Sequence, residues 1–453
     1  MHTNPFLHRY TSYIPSNLHI DNLLLSYPIT VTSHKNNAQK IKDNVLYILG
    51  VLTNQTIKHG RDGDITKYEG WVPICSKILE RYIRNYKQYL RWLVNTGIIE
   101  RNRSWQSRKA CIGHRYTEQY RKKLDKRRSF YIYDEKLCNK LKEFRTPVEV
   151  TNKYQHLVDW FDGLDFDDDD ADRILHELYP KDDYNRERHY NSLLRIRHKN
   201  QQSFSIGTTG RLYTPLTNLK KELRDCLRYD GHELKEYDLP SSIPFISTYL
   251  FDYNFLYKHK DILFNAGLTL RESTDPVHIM FRKKSNRDVV INTQATDVLR
   301  YIHDVRQDDI YTLLADTWNS EIGVSYKRNT SKRKFLSIIN SPTYIDCHEK
   351  EILASMYPTV IKYFDEINGA FKLKKHRAEG STEIAPFSYI TQSIESRFVL
   401  DSVCKRITAQ YPNIPLFTIH DAIYTTVEYL NLVKEILHEE VIDVLGVEGK
   451  VYP

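Results

Sequence analysis

Cysteine is scarce in this chain: six residues (Cys75, Cys111, Cys138, Cys226, Cys347 and Cys404) among 453, far apart and without a CxxC pair. That spacing indicates neither a zinc knuckle nor a disulfide framework, and it suits structural thiols that stay reduced. Long apolar runs are missing as well. No stretch approaches the roughly 18 to 20 residues needed to cross a bilayer, and the opening MHTNPFLHRY lacks the basic-then-apolar order of a signal peptide. A soluble cytoplasmic protein, of a bacterial cell or a phage-infected host, with no membrane partner is expected. The acidic run Asp165–Asp170 lacks the glycine and the distal glutamate of a calcium loop. It reads instead as the start of a helix, where aspartates oppose the positive end of the helix dipole.

What is present is ordinary globular composition, 40% hydrophobic, over a length sufficient for two or three domains. A formal net charge of +8 leans toward a polyanionic partner, because Lys and Arg that neutralise phosphates release condensed counterions. Between about residues 40 and 120 apolar residues recur at helical spacing: Val45, Leu46, Leu49 and Leu52, then Ile74, Ile78, Leu79 and Tyr82, then Tyr86, Leu90, Leu93 and Val94. Gly97 closes the third helix, and Ile98-Ile99-Glu100 reads as a strand entering a basic hairpin before Gly113-His114-Arg115-Tyr116. Three helices and a two-stranded wing are the order of a winged helix, with Arg81, Arg84, Lys87 and Arg91 able to face phosphates. A solvated basic face on a small helical module is the alternative. The expected organisation is a winged-helix-like nucleic-acid-binding domain over 1–125, a helical, thumb-like linker over 126–200, and a third domain over 201–453.

Beyond residue 200 several segments occur in a telling order. Phe204-Ser205-Ile206-Gly207 precedes Thr208-Thr209-Gly210-Arg211-Leu212-Tyr213-Thr214, then Thr217-Asn218-Leu219 and Arg224. The alternating strand Leu234-Lys235-Glu236-Tyr237-Asp238 turns through Leu239-Pro240 into a helix. Lys327-Arg328-Asn329-Thr330-Ser331-Lys332 opens a basic helix on which Arg328 and Lys332 lie one turn apart. Tyr389-Ile390-Thr391-Gln392 heads an amphipathic helix with Ile394, Phe398, Val399, Val403 and Ile407 on its apolar face, and Leu416 to Tyr424 reads as strand, His420-Asp421 turn, strand.

In that order these segments resemble the motifs of family A DNA polymerases, over roughly residues 204 to 430. The first is similar to the family's TGRLSS segment, the second to motif A, the third to the fingers helix and the last to motif C. The resemblance implies an α+β fold: a palm with a short antiparallel sheet and helical fingers inserted at about 250–385, preceded by the winged-helix-like part. It implies a nucleotidyltransferase in which Asp238 and Asp421, with the Leu239 carbonyl, bind two Mg2+ ions (or Mn2+). By the same resemblance Arg328 and Lys332 grip the triphosphate of a dNTP or NTP, while Arg211, Gln392 and His420 contact a DNA primer-template. Two positions depart from the family: Ala422 stands where a further acidic residue often follows the motif C aspartate, and Asn340-Ser341 replaces an aromatic-glycine pair. Ile243 occupies the place of the glutamate that excludes a 2′-hydroxyl, and its bulk favours deoxynucleotides. DNA synthesis without proofreading, for a phage, plasmid or other mobile element, is the leading expectation. An RNA polymerase or primase on the same palm, or a non-catalytic DNA-binding replication protein, is the alternative.

Overall fold

Val45, Leu46, Leu49 and Leu52, spaced as a helix requires, are all 0% exposed on the Ala38–His59 helix. This computed structural model describes residues 10–29, 37–59, 71–74, 76–102, 112–124, 127–181, 183–199, 202–238, 242–307, 309–341, 347–369, 373–377 and 380–445. The chain divides into two units, residues 1–205 with 214–234 and residues 206–213 with 235–453. Each mixes helices with small antiparallel sheets, so the fold class is α+β.

In the first unit the Ala38–His59 helix lies against the strand Tyr10–Pro15. Ser12 Oγ donates to the Leu46 carbonyl at 2.6 Å, and a Cβ at position 50 would collide with Ser12, so Gly50 permits the close approach. Tyr10–Pro15 pairs antiparallel with Arg127–Ile132, Tyr10 opposite Ile132 and Pro15 opposite Arg127. After the long helix come the strand Val72–Pro73, the helices Ser76–Tyr82 and Tyr86–Asn95, and the strands Ile99–Arg101 and Gly113–Tyr116. The three strands form one sheet with Gly113–Tyr116 in the centre. Ile78 is not part of the inward stripe expected of it: the helix is only seven residues long, buries Leu79 and Tyr82, and leaves Ile78 48% exposed. The tip of the basic hairpin, residues 103–111, lies outside the described residues.

The acidic run does what aspartates at a helix start can do. Asp167 caps the Asp168–Leu178 helix by accepting from the Asp170 amide at 2.9 Å. Arg197 donates to Asp165 at 2.9 Å and to Asp168 at 3.0 Å, and Arg228 donates to Asp170 at 2.5 Å. The run is thereby tied to a neighbouring helix and to the strand Leu227–Tyr229.

The second unit is built around large aromatic residues. Trp318, Tyr301, Tyr311, Tyr357, Tyr363, Phe335 and Phe364 are buried to within 1% of complete burial. Where helical fingers are expected, residues 268–292 instead form a three-stranded antiparallel sheet of Leu268–Arg271, His278–Lys283 and Asp288–Asn292. The reason is visible in Ile279, Phe281, Val289 and Ile291, which alternate with outward residues at the period of a strand. The helix Lys260–Asn265 packs on Leu268–Arg271 and Pro358–Asn368 on Asp288–Asn292, and the unit's other helices include Ser242–Thr248, Ile310–Ile322, Arg328–Ile339 and Pro386–Ser396. The last of these runs on through a π-helical stretch, Arg397–Cys404, to Gln410, and buries Ile394, Phe398, Val399, Val403 and Ile407 as its spacing requires.

Gly97 sits at the end of Tyr86–Asn95 with φ +69°, a left-handed conformation, and no atom would meet an added Cβ. Gly97→Ala is therefore expected to destabilise the first unit by strain alone, about 1 kcal/mol. Asn, which tolerates that conformation, should recover part of the loss. Thermal midpoints of the two variants test this: equal midpoints for Ala and Asn would contradict it.

Candidate functional site

The hairpin Phe417–Ile419 and Ala422–Thr426 pairs Ile419 with Ala422, which leaves His420 and Asp421 as its two-residue turn, as expected from the sequence. His420 has φ +59°, a conformation uncommon for a non-glycine residue, and its ring meets the edge of Tyr213 at 6.1 Å. Ala422–Thr426 lies between Phe417–Ile419 and the strand that ends at Asp238. Side chains reinforce that neighbourhood: Tyr424 donates to Glu236, and Tyr237 shares a 2.7 Å hydrogen bond with His438 on the Leu430–Leu445 helix. Asp238 is exposed at its strand end and Asp421 is half-buried at the turn. Leu239 lies outside the described residues.

Four side chains then join in one hydrogen-bonded chain. Ser242, the first residue of the Ser242–Thr248 helix, approaches Asp421 Oδ2 at 2.8 Å and Glu395 Oε2 at 3.0 Å. Arg211 donates from Nε to Glu395 Oε1 at 3.0 Å and from Nη2 to the same oxygen. Arg211 reaches Glu395 because the turn before it folds tightly: Gly207 accepts from the Gly210 amide, and Gly210 has φ +78°. A Cβ at position 210 would stand 3.4 Å from Ser396 Oγ, so this turn packs directly on the Glu395 helix. Gln392, one turn before Glu395, is half-buried and donates to Ser388 Oγ at 2.7 Å. Ile243 follows Ser242 and is half-buried.

Glu395 is the residue that sequence reasoning missed. It is 1% exposed, and a carboxylate so buried is costly unless paired. Its signal in the sequence was an acid set among Ile394, Phe398 and Val399 on an otherwise apolar stretch. Burial pushes its carboxyl up to about 7, the Arg211 guanidinium opposes that rise, and the Asp421 charge adds to it. Ser242 has one hydroxyl proton and two carboxyl neighbours, so it donates to Asp421 Oδ2 or to Glu395 Oε2 at any one moment.

Arg328 and Lys332 form a second group on the Arg328–Ile339 helix. They lie one turn apart over the Tyr311 ring, at 5.4 and 5.6 Å from its centroid. Arg328 also donates to Asp309 at 2.5 Å. The hydrogen-bonded chain at Asp421 does not include either cation. What links the two groups is Asn368, whose amide donates to the carbonyls of Ile339 at 2.8 Å and Ser341 at 3.2 Å. Its oxygen accepts from the Phe387 amide at 3.2 Å, at the head of the Glu395 helix. Asn340 turns its amide back to the Leu336 carbonyl at 2.8 Å and ends the helix.

A carboxyl whose folded pKa of about 7 lies above its ordinary 4.5 binds more protons folded than unfolded between those values. Stability should therefore fall as pH rises from about 4.5 to about 7 and level off above. Glu395→Gln, which cannot titrate, is expected to flatten that part of the profile. Urea midpoints across the window check this, and parallel profiles for the two proteins would count against it. In comparison with known proteins, no family model matches the chain and no curated protein matches it.

Proposed function

We propose that the second unit is the catalytic part of a template-directed nucleic-acid polymerase that extends a primer by nucleotidyl transfer. The observation that carries this reading is the chain Arg211, Glu395, Ser242, Asp421. It draws together the segments 206–213, 386–396, 242–248 and 417–426, whose order along the sequence resembles that of a family A polymerase. In this reading the unit is a palm with inserted fingers, and the first unit is winged-helix-like.

Asp238 and Asp421 would hold two Mg2+ ions. They stand at the ends of neighbouring strands, and carboxylate oxygens are the hard ligands that Mg2+ takes while keeping several waters. Bound there, such ions would supply Lewis acidity toward a hydroxyl and phosphate oxygens. Everything else is the work of side chains. Ser242 fixes the Asp421 carboxylate by its hydroxyl, which keeps one oxygen in a set direction. Glu395 acts as a positioning residue: it engages Nε and Nη2 of Arg211 and so aims the guanidinium, whose remaining N–H groups are available to the primer end. Gln392 and His420 flank that point as further contacts to the primer-template. Arg328 and Lys332 neutralise the triphosphate, Arg328 exchanging Asp309 for phosphate oxygens. Catalysis on these terms is positioning plus charge stabilisation. The bulk of Ile243 favours dNTPs over NTPs.

Extension of a labelled primer on a DNA template with Mg2+ and either dNTPs or NTPs is the direct test. Asp238→Asn and Asp421→Asn should each lower the rate by roughly a hundredfold or more. Ribonucleotide incorporation without a primer would mark an RNA polymerase or primase, and no incorporation of either kind would leave a non-catalytic DNA-binding protein. A second measurement reads the role of Glu395. Arg211→Ala and Glu395→Gln should each raise the KM for primer-template about tenfold, and the double variant should be no worse than either one. Additive losses would show that Glu395 does not act through Arg211.

A further inference from the structure

The first unit carries an outward helix face that the catalytic reading does not use. Tyr86–Asn95 buries Tyr86, Tyr89 and Leu93 and most of Trp92, so Lys87 and Arg91, four residues apart, fall on the opposite side and are exposed. Arg84, in the turn just ahead of the helix, is exposed as well. None of these three has a hydrogen bond or an ion pair among the described residues. Other arginines of the same unit do have partners: Arg115 is paired with Glu100 and stacked on Trp71, and Arg173, Arg197 and Arg228 are held by the aspartate run. Acids are therefore within reach of the cations elsewhere in the unit, while this face keeps its charge open to an external anion.

The surroundings narrow the anion to a duplex. Ala38–His59, Val72–Pro73, Ser76–Tyr82, Tyr86–Asn95, Ile99–Arg101 and Gly113–Tyr116 run helix, strand, helix, helix, strand, strand. In helix-turn-helix modules the helix in the place of Tyr86–Asn95 lies in the major groove, whose width of about 12 Å admits one helix. Single strands are bound on exposed aromatic platforms. Here Tyr86 and Tyr89 point inward and Trp92 is 9% exposed, so the face offers charge without stacking.

We propose that Arg84, Lys87 and Arg91 form a duplex-DNA-binding surface on the first unit, one that works whether or not the second unit polymerises. The test is anisotropy of the full chain with a blunt duplex of about 20 base pairs, without nucleotides, between about 50 and 200 mM salt. Arg84→Ala, Lys87→Ala and Arg91→Ala combined should weaken duplex binding at least tenfold at about 100 mM salt and lower the salt slope by about 2.7, three phosphate contacts at 0.9 each. Lys87→Glu alone, a single exposed reversal, should weaken it in the same direction, and it decides the question if the triple variant melts early. Asp421→Asn should bind the duplex as the unaltered chain does, which separates this proposal from the polymerase reading. Unchanged affinity and slope in both surface variants would overturn it, and so would an equal loss on a single strand of the same length.

Discussion

A carboxylate at full burial is the constraint on which the second unit turns. Removing Glu395 from water is costly, and burial of that kind is tolerable only with a cation and hydrogen-bond donors already in place. Arg211 and Ser242 supply them, and each comes from a different part of the chain. The tight turn at Gly207–Gly210, the start of the Ser242–Thr248 helix and the Asp421 turn must all arrive for Glu395 to be satisfied. One acidic side chain thus demands a geometry that many weak apolar contacts would leave loose. The reverse also holds: loss of any one member leaves a buried polar group without its partner, so the four residues should vary together.

The second group obeys a different logic. Arg328 and Lys332 are solvent-facing cations on a rigid helix, held over Tyr311 and balanced in part by Asp309. Asn368 connects the far end of that helix to the head of the Glu395 helix with three hydrogen bonds to backbone groups. Backbone-directed bonds of this kind do not depend on the identity of the residues they hold. The junction therefore rests on backbone positions rather than on the side chains of Asn340 and Ser341.

Much of this was legible in the sequence where local chemistry alone decides. Two apolar strands around His420-Asp421 allow little but a hairpin, and Gly97 at a helix end allows little but a left-handed cap. The apolar stripe from Ile394 to Ile407 was readable for the same reason, as was the aspartate run as a helix start. Glu395 was not, because a carboxylate's burial depends on Arg211, 184 residues away along the chain, and no local pattern reports it. The sheet over 268–292 alternates plainly at the period of a strand, whereas the helical fingers expected there rest on the resemblance alone. Ile78 fitted a helical period but not a helix as short as the one that forms.

The way the chain threads its two units has its own consequence. It passes from the first to the second at 205/206, returns at 213/214 and crosses again at 234/235. The eight-residue excursion carries Arg211, so the guanidinium that Glu395 needs is delivered by a loop borrowed from the other unit's stretch of chain. No single cut can divide such a protein into two self-sufficient fragments. A break at 205 takes residues 214–234 away from the first unit, and a break at 234 takes Arg211 away from the second. Neither unit therefore corresponds to one uninterrupted stretch of the chain.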